Sequence, residues 1–228
     1  MKIGIICAGD MEVAPFIPLI EDCKVTEKAM LKFYEGKING MDIVTLFSGV
    51  CKVNAAIATQ ILIDTYNCDT IINSGTAGGM DDSLDILDTV ISDEVAYHDV
   101  DEGILTEFHP WLDSIYFKAD KQLLEVAKEV SKNFDNHNKV VFGRMVTGEK
   151  FIEDEKRDFI NNNFSPLSVD METASIAHVC HVNKIPFVAV RTITDTPDHK
   201  GVGAFEENCP KAAQVSANFV CAMLKVLT

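Results

Sequence analysis

The stretch SVDMETASIAHVCHVNKIPFVAVRTITDTPD (Ser168–Asp198) decides the fold class of this chain. A helical pattern at Thr173–Val182 is followed by Pro186–Val190, a short apolar run rich in branched residues that is typical of a strand buried on both faces. Polar residues follow directly, up to Asp195, and open α/β sheets bind their ligands at this carboxyl end of a strand. We therefore expect Glu172, which precedes the helix, and Asp195 to face one small-molecule site.

The same alternation of strands and helices extends along the 228 residues. Short apolar or alternating runs predict further strands at Lys2–Cys7, Leu31–Ile38, Met41–Phe47, Thr70–Ile72, Asp88–Tyr97 and Lys139–Val146. Helical patterns predict helices at Asp10–Cys23, Lys52–Tyr66, Ala119–Phe134, Glu153–Asn161 and Lys211–Leu227. No repeat or linker interrupts the pattern, so we predict one α/β domain, residues 1–228, with a central mixed, mostly parallel sheet flanked by helices.

Charge and apolar content exclude several classes of partner. Thirty-five acidic and 20 basic residues give a formal net charge of −15, whereas nucleic acids and anionic membranes attract clustered lysine and arginine. No apolar run approaches the ~18 residues of a membrane-spanning helix, and the N-terminus lacks a signal peptide's long apolar core. The seven cysteines are scattered and form no CxxC pair, which is consistent with reduced thiols in a cytosolic protein. We therefore expect a cytoplasmic protein that binds neither nucleic acid nor membranes.

The glycine-rich segment NSGTAGG (Asn73–Gly79) follows a predicted strand. It has neither the G-x-G-x-x-G spacing of dinucleotide-binding loops nor the Gly-Lys-Ser/Thr ending of a Walker loop. It offers the Thr76 hydroxyl and, at glycines such as Gly78, backbone that a ligand can approach closely. A tight turn explains these glycines equally well.

Two histidines, His178 and His181, lie three residues apart in a predicted helix and could share a metal ion. The nearest acid, Glu172, lies six residues before His178 and so points off that face of the helix. No other ligand nearby in sequence completes a site. Packed, partly buried imidazoles are therefore the favoured interpretation, and we expect no metal.

Three acids, Glu12, Glu172 and Asp195, stand out in an acidic chain. Each comes soon after an apolar stretch, which favours a position near the sheet edge over an ordinary surface position. Phe151 and Phe205 lie in or after polar loops and could stack on a flat ring, although core packing is the commoner use of phenylalanine.

The segment Asp99–Asp120 has no clear periodicity and holds the single tryptophan, Trp111, among several other aromatic residues. A long aromatic-rich loop in a compact domain is typical of a binding loop or an interface. We give equal weight to ordinary packing under a neighbouring helix.

Seven motifs together carry a resemblance to a known family. In chain order they are MKIGII with Glu12, SGVCKVNAA (Ser48–Ala56), INSGTAGG (Ile72–Gly79), SDEVAYHD (Ser92–Asp99), VTGEKFI (Val146–Ile152), VDMETASIAHVCH (Val169–His181) and PFVAVRTITD (Pro186–Asp195). The set resembles the 5′-methylthioadenosine/S-adenosylhomocysteine nucleosidases of the purine nucleoside phosphorylase and hydrolase superfamily. It covers nearly the whole chain and implies a nucleoside phosphorylase-like fold and a homodimer whose partner subunit completes the active site.

The resemblance implies hydrolysis of the N-glycosidic bond of 5′-methylthioadenosine, S-adenosylhomocysteine and 5′-deoxyadenosine, giving adenine and a 5′-substituted ribose. It also implies a role in methionine salvage and in recycling by-products of S-adenosylmethionine. Asp195 would be the general acid at the purine N7. Glu12 would bind and activate the water, assisted by Thr76, Arg191 and Thr194. No cofactor is required by any step.

Other positions of the family pattern would form the substrate pocket. Glu172 would hold the ribose hydroxyls, with Met171 packed nearby. Phe151 would stack on the adenine, and the backbone of Ile152 would read its Watson–Crick edge. Phe205 would close over the ribose and its 5′ group.

These residue types suit the reaction. Breaking an N-riboside bond develops positive charge on the sugar and negative charge on the purine, so an acid at the ring and a carboxylate near the sugar both lower the barrier. Because the acid must stay protonated near neutral pH, we expect the pKa of Asp195 to be raised, with other carboxylates nearby as the cause.

The chain departs from the family pattern in single residues and in one segment. Cys7 stands in place of a usual Gly, Thr76 and Thr194 in place of Ser, and Glu149 in place of Asp. The largest departure is GILTEFHPWL (Gly103–Leu112), where typical members carry a Gly-Gln-x-Pro segment. We hypothesise that Phe108, Pro110 or Trp111 lines the 5′ pocket of the partner subunit.

Two other functions are weighed against hydrolysis. A purine nucleoside phosphorylase shares the fold but needs cationic groups around its phosphate, which Glu12 would repel. A non-catalytic nucleoside-binding protein is disfavoured because Glu12, Glu172 and Asp195 occur together. Adenine release with and without phosphate separates the three functions.

Overall fold

The computed structural model describes residues 1–134 and 137–227. The strands are β1 (Lys2–Cys7), β2 (Glu21–Lys28), β3 (Leu31–Ile38), β4 (Met41–Phe47), β5 (Thr70–Gly79), β6 (Thr89–Tyr97), β7 (Phe117–Lys118), β8 (Val140–Thr147), β9 (Ser168–Asp170) and β10 (Phe187–Asp195). The helices are α1 (Asp10–Val13), α2 (Lys52–Asp64), α3 (Glu102–Glu107), α4 (Lys121–Ser131), α5 (Asp154–Phe164), α6 (Thr173–Asn183) and α7 (Val202–Leu227), with a 3₁₀ turn at Ile17–Leu19.

The strands of the described ranges form one mixed sheet. Their order is β10-β6-β8-β9-β5-β1-β4-β3-β2, and β7 pairs with β6. Because β10 also pairs with β5, the strands β5, β9, β8, β6 and β10 close into a ring. Parallel pairing joins β4, β1, β5 and β10, whereas the β2–β3–β4 edge is antiparallel. The predicted α/β fold with a central mixed sheet is confirmed.

Helices cover both faces of this sheet. α2 and α6 pack on one face through small and branched side chains such as Leu62 and Ile176. α4 and α7 pack on the other face, where Leu123 and Phe219 are buried. β10 is buried along its whole length, which confirms the predicted strand with two covered faces.

The helix predicted at Asp10–Cys23 is wrong beyond its first turn. α1 ends at Val13, and the chain continues through a 3₁₀ turn into β2. Pro15 and Pro18 each remove a backbone donor and clash with the preceding turn, so a continuous helix is not possible. The surviving first turn carries Glu12.

β5 and β10 extend further than predicted. The sequence indicated strands only at Thr70–Ile72 and Pro186–Val190, with loops after them. In the structure both strands continue to the end of their polar stretches, because they pair with each other in parallel there. The ladder satisfies the backbone of both segments and brings their polar side chains to one edge of the sheet.

Larger differences from the prediction also occur in α7 and in the segment Asp99–Asp120. α7 begins at Val202, well before the predicted Lys211, and contains Pro210. The unpatterned segment Asp99–Asp120 contains the short helix α3 and the strand β7. Among the described residues, no helix is both long and apolar enough to span a membrane.

Candidate active site

A cavity of about 260 Å³ opens at the carboxyl ends of β1, β5, β9 and β10. The predicted site residues that line it are Glu12, Thr76, Gly78, Phe151, Met171, Glu172, Arg191, Thr194, Asp195 and Phe205. Residues that the sequence did not single out complete its wall, and they are Ala8, Gly9, Asp10, Met11, Val50, Ala77, Val169, Asp170 and Cys209. The expected edge of the sheet is therefore where the chain places its candidate site.

Arg191 is the buried centre of this site. Its side chain is 1% exposed, and its guanidinium lies 3.2 Å from Asp170, 3.2 Å from Glu172 and 3.7 Å from Glu12. Buried charges require partners, and here a single cation faces three carboxyl groups. The cluster has an excess of negative charge when these groups are ionised.

Glu12 reaches the cluster from the first turn of α1. Its Oε1 accepts hydrogen bonds from the amide and the hydroxyl of Thr76, at 2.7 and 2.8 Å. Its Oε2 accepts from the amides of Ala8 and Gly9, at 2.7 and 3.2 Å. A Cβ at Gly75 would lie 2.5 Å from Oε1, so the backbone of β5 passes directly against this carboxyl group. The position of Glu12 is therefore set by β1 and β5 as well as by its own helix.

Glu172 lies between Arg191 and the start of α2. Its Oε1 accepts a 2.9 Å hydrogen bond from the amide of Cys51. Burial raises the pKa of Glu172 to about 7, with Arg191 opposing this shift and Asp170 adding to it. A carboxyl group with this pKa changes its charge close to neutral pH.

Asp195 follows a β-bulge at the end of β10. The register against β5 shifts between Ile193 and Asp195. Because side chains in a regular strand alternate between faces, this bulge allows Thr194 and Asp195 to line the same cavity. The Thr194 hydroxyl donates a 2.9 Å hydrogen bond to Oδ1 of Asp195.

The pKa of Asp195 is raised, as predicted, but for a different reason. Burial is the largest cause, whereas the hydrogen bond from Thr194 and the positive charge of Arg157 lower the pKa. Carboxyl groups of the described residues are not among the causes, so the expectation that crowded carboxylates raise this pKa is wrong. Desolvation favours the protonated acid.

Phe151 and Phe205 lie at the mouth of the cavity, with ring centroids 6.3 Å apart and planes at 74°. Phe151 is 38% exposed, so part of its ring surface is accessible to a ligand. Ile152 lines a small adjoining cavity of about 40 Å³ together with Lys150 and Asp195. Its side chain is buried in the core, and no described residue hydrogen-bonds to its backbone amide or carbonyl.

Phe108, Pro110 and Trp111 do not line the cavity of their own chain. Phe108 and Trp111 are 62% and 65% exposed, in the segment after α3. Their predicted contact is with a second subunit, and it stays a prediction.

The two histidines of α6 pack against aromatic residues. Nδ1 of His178 lies 3.3 Å from the hydroxyl of Tyr97, and its ring stacks on Phe117 with centroids 4.9 Å apart. His181 meets the same Phe117 ring edge-on. In the part of the chain that the structure describes, no group of three or more His, Cys, Asp or Glu side chains is arranged to hold a metal ion.

Comparison with known proteins determines the family. A family model described as the phosphorylase superfamily matches residues 2–225. A curated 5′-methylthioadenosine/S-adenosylhomocysteine nucleosidase from Geobacillus kaustophilus is 39% identical over 232 residues, which cover 100% of this chain and 98% of the relative. The chain belongs to the 5′-methylthioadenosine/S-adenosylhomocysteine nucleosidase family within the phosphorylase superfamily.

Solved structures of nucleosidases and related hydrolases share this fold. The nucleosidase of this family from Colwellia psychrerythraea, in complex with adenine, is 38% identical with a TM-score of 0.90, covering 98% of this chain and 94% of its own. A futalosine hydrolase from Helicobacter pylori is 28% identical with a TM-score of 0.90, covering 99% and 98%. One fold thus serves hydrolases named for different substrates.

The sequence assigned no role to Asp170 and Cys209, which line the cavity, or to Arg157, which lies outside its lining. Asp170 stands two residues before Glu172, and this spacing at the end of a strand was an available signal for a second carboxyl group. Cys209 belongs to α7 and Arg157 to α5, and no local motif marks either residue. Only the packing of these helices against the sheet ends brings them to the site.

Proposed function

We propose that this chain hydrolyses the N-glycosidic bond of 5′-methylthioadenosine, S-adenosylhomocysteine and 5′-deoxyadenosine, releasing adenine and a 5′-substituted ribose. One observation carries the proposal: a buried acid, Asp195, shares a cavity with the carboxyl groups around Arg191. Cleavage of an N-riboside needs a proton donor at the base and negative charge at the sugar. Asp195 would supply the proton, and the carboxyl groups around Arg191 would supply the negative charge.

Asp195 is the proposed general acid at the purine N7. Burial favours its protonated form, which is the form that can donate. After transfer, the new carboxylate is stabilised by the Thr194 hydroxyl and the charge of Arg157. General acid catalysis of this kind contributes ~10²–10⁴-fold.

Glu12 is the proposed site of the attacking water. Its Oε1 lies 3.7 Å from Nη1 of Arg191, a gap that a water hydrogen-bonded to both groups would bridge. The Thr76 hydroxyl, 2.8 Å from the same oxygen, is placed to contact that water. Thr194 was expected to assist here, but its hydroxyl contacts Asp195 and the Ala77 carbonyl, so we assign it to the acid.

Glu172 is the proposed acceptor for the ribose hydroxyls, with Met171 beside it in the cavity wall. The Cys51 amide donates to its Oε1 at 2.9 Å, and Arg191 donates to its Oε2 at 3.2 Å. The excess negative charge around Arg191 favours the positive charge that develops on the sugar as the bond breaks.

The proposed adenine subsite lies around Asp195. Phe151 supplies a ring for stacking, the Ile152 backbone is available for the Watson–Crick edge, and Phe205 closes over the ribose. A Cβ at Gly78 would lie 3.1 Å from Oδ2 of Asp195, so glycine leaves the acid open to the base.

Phosphorolysis is disfavoured by the charges of the cavity. Among the described residues that line it, Arg191 is the one arginine or lysine, and it already faces three carboxyl groups. A phosphate dianion would meet net repulsion there.

An adenine-release assay on the three substrates, with and without phosphate, tests the proposal. We expect the rate of release to be independent of phosphate. Release that requires phosphate would show a phosphorylase, and no release from any substrate would show a non-catalytic nucleoside-binding protein.

We also infer that residues 1–228 act as a single nucleosidase domain in a cytoplasmic homodimer, with a role in methionine salvage and in recycling S-adenosylmethionine by-products. Exposed apolar side chains support a second subunit: Val50 at the cavity is 50% exposed, and Val53 and Ile57 of α2 are 69% and 45% exposed. The seven cysteines are free thiols, which suits a reducing compartment.

A further inference from the structure

The loop between β8 and α5, residues 148–153, carries both residues of the proposed adenine subsite, Phe151 and Ile152. It contains no helix or strand. The amide of Gly148 donates to the Asp170 carbonyl at 3.1 Å, and the next amide, of Glu149, is held by a side chain from another element. The position of the subsite therefore depends on a few tertiary contacts.

Lys52, Asp99 and Glu149 form a closed ring of contacts, which we call the loop latch. The Glu149 amide donates to Oδ2 of Asp99 at 3.0 Å. The Lys52 ammonium donates to both oxygens of Asp99, at 2.9 and 3.0 Å. Oε1 of Glu149 accepts from the Lys52 amide at 3.0 Å. Each member of the latch thus contacts the other two.

The latch is built on the N-terminus of α2. The N-cap residue Cys51 makes no side-chain capping bond. The amides of Cys51 and Lys52 are instead accepted by two carboxyl groups from elsewhere in the chain, Glu172 at 2.9 Å and Glu149 at 3.0 Å. Amides at a helix N-terminus favour such anionic acceptors. One helix end therefore holds both the proposed ribose carboxyl group and the adenine loop.

We propose that Glu149, with Lys52 and Asp99, is a positioning residue that sets the affinity for adenine without contacting it, which rests on the proposed function. The Lys52 and Asp99 side chains are 20% and 29% exposed, and ion pairs near the solvent add little to global stability. The contacts of the latch instead act locally, because they order the loop before the substrate binds. Without them, part of the binding free energy would be spent on ordering the loop. The free energy of ordering the loop is the same for the bound substrate and for the transition state. A change in it therefore alters KM more than kcat.

The test is the variant Glu149→Ala, which removes the acceptor of the Lys52 amide. We expect the KM for 5′-methylthioadenosine and the Kd for adenine, measured by calorimetry, to rise about 3- to 10-fold while kcat changes less than about twofold. Amide hydrogen exchange at residues 149–152 should become faster in the ligand-free protein. Glu149→Gln, which keeps an acceptor oxygen, should restore most of the affinity.

A control and a second variant separate this role from general destabilisation. Glu125→Ala removes an exposed glutamate carboxylate from α4, where it pairs with Lys128 at 2.8 Å, and should change neither adenine affinity nor loop exchange. Adding Asp99→Asn to Glu149→Ala should weaken adenine binding little further, because both substitutions break the same set of contacts.

Unchanged adenine affinity and loop exchange in Glu149→Ala would overturn the proposal. A second outcome would also overturn it: adenine affinity falls together with Tm in Glu149→Ala, and Glu149→Gln does not restore the affinity. If the unmodified chain releases no adenine from any substrate while Glu149→Ala still weakens adenine binding, the proposed function fails and the positioning role stands.

Discussion

Side chains in this cavity experience two different electrostatic environments. Glu12 accepts hydrogen bonds from the amides of Ala8 and Gly9, which connect β1 to α1, and from both donors of Thr76. Asp195 is buried with the Thr194 hydroxyl as its hydrogen-bond donor, and its pKa is raised. The raised pKa of Asp195 suits a general acid, whereas the hydrogen bonds of Glu12 hold its carboxyl group in a defined position. This difference supports Asp195 as the acid and Glu12 as the group that holds water.

The variant Asp195→Asn should abolish turnover and retain adenine binding. The amide keeps the size and the contact with Thr194 but cannot donate a proton as an acid, so we expect kcat to fall by ~10²–10⁴-fold or more. Adenine release measures turnover, and calorimetry measures adenine binding. Asp198→Asn, an exposed acid outside the cavity, serves as the control. Near-normal turnover in Asp195→Asn would contradict the assignment.

Removal of the Arg157 charge should shift the pH profile. Arg157 is buried, and its Nη1 donates to the Gly79 carbonyl. Its positive charge lowers the pKa of Asp195, so in Arg157→Met that pKa rises and Asp195 stays protonated to higher pH. We expect the alkaline limb of kcat/KM to move to higher pH.

Arg157→Lys is the matched control for this prediction, because it keeps the positive charge and should leave the limb close to its original position. Thermal unfolding of both variants shows whether either is destabilised. An alkaline limb that stays in place or moves to lower pH in Arg157→Met would refute the electrostatic role.

Two neighbouring strands, β5 and β10, contribute Thr76, Ala77, Gly78, Arg191, Thr194 and Asp195 to the cavity. Their parallel ladder places Thr76 beside Thr192 and Gly78 beside Asp195, and the bulge in β10 turns two successive side chains into the cavity. Where β5 passes Glu12 there is no space for a side chain, because a Cβ at Gly75 would lie 2.5 Å from Glu12 and 2.7 Å from Arg191. The close approach of this backbone is therefore part of the site.

The variant Gly75→Ala should impair catalysis by moving the side chains of Glu12 and Arg191. Misplacement by about 1 Å can cost about 100-fold in rate, so we expect kcat/KM to fall by about that factor. Adenine binding should persist because the adenine loop belongs to a different element.

Gly203→Ala is the control for Gly75→Ala, since a Cβ at Gly203 meets nothing within 4 Å. Steady-state kinetics of both variants make the comparison. Normal kcat/KM in Gly75→Ala would show that the close approach is not required.

Several large apolar side chains stay exposed on the surface of the whole molecule. The cavity is bounded by Val50, and the segment after α3 exposes Phe108 and Trp111. In a homodimer these side chains would be covered, and those of one subunit would reach the 5′ end of the other's cavity. On this hypothesis, the 5′ subsite is the part of the proposed site that a single chain completes least.

The variants Phe108→Ala and Trp111→Ala should weaken the use of 5′-methylthioadenosine. We expect at least one of them to raise KM by about tenfold, because truncating a large aromatic contact at an interface typically costs more than 1 kcal/mol. Sedimentation should first establish that each variant is still a dimer. Phe159→Ala, a 61% exposed phenylalanine on α5, is the control. Unchanged kinetics in both variants would count against this hypothesis.

The architecture was predictable from the sequence wherever a local pattern carries the information. An apolar run indicated β1, and roughly alternating runs indicated β3 and β4, all with their observed bounds, because half-buried and buried strands select these patterns. The prediction at Asp10–Cys23 failed because Pro15 and Pro18 outweigh the periodicity. The carboxyl ends of β5 and β10 were not predicted, because their polar residues adopt strand structure only through pairing with a neighbouring strand.

The sequence by itself determined the α/β class and, through seven separated motifs, the family and most of the residues that line the cavity. The tertiary structure alone decided how these residues meet. The pairing of Arg191 with Asp170, the burial that raises the pKa of Asp195 and the opposing charge of Arg157 all depend on elements far apart in the chain. Distances, dielectric surroundings and charge–charge contacts arise only when those elements pack, so no local pattern encodes them.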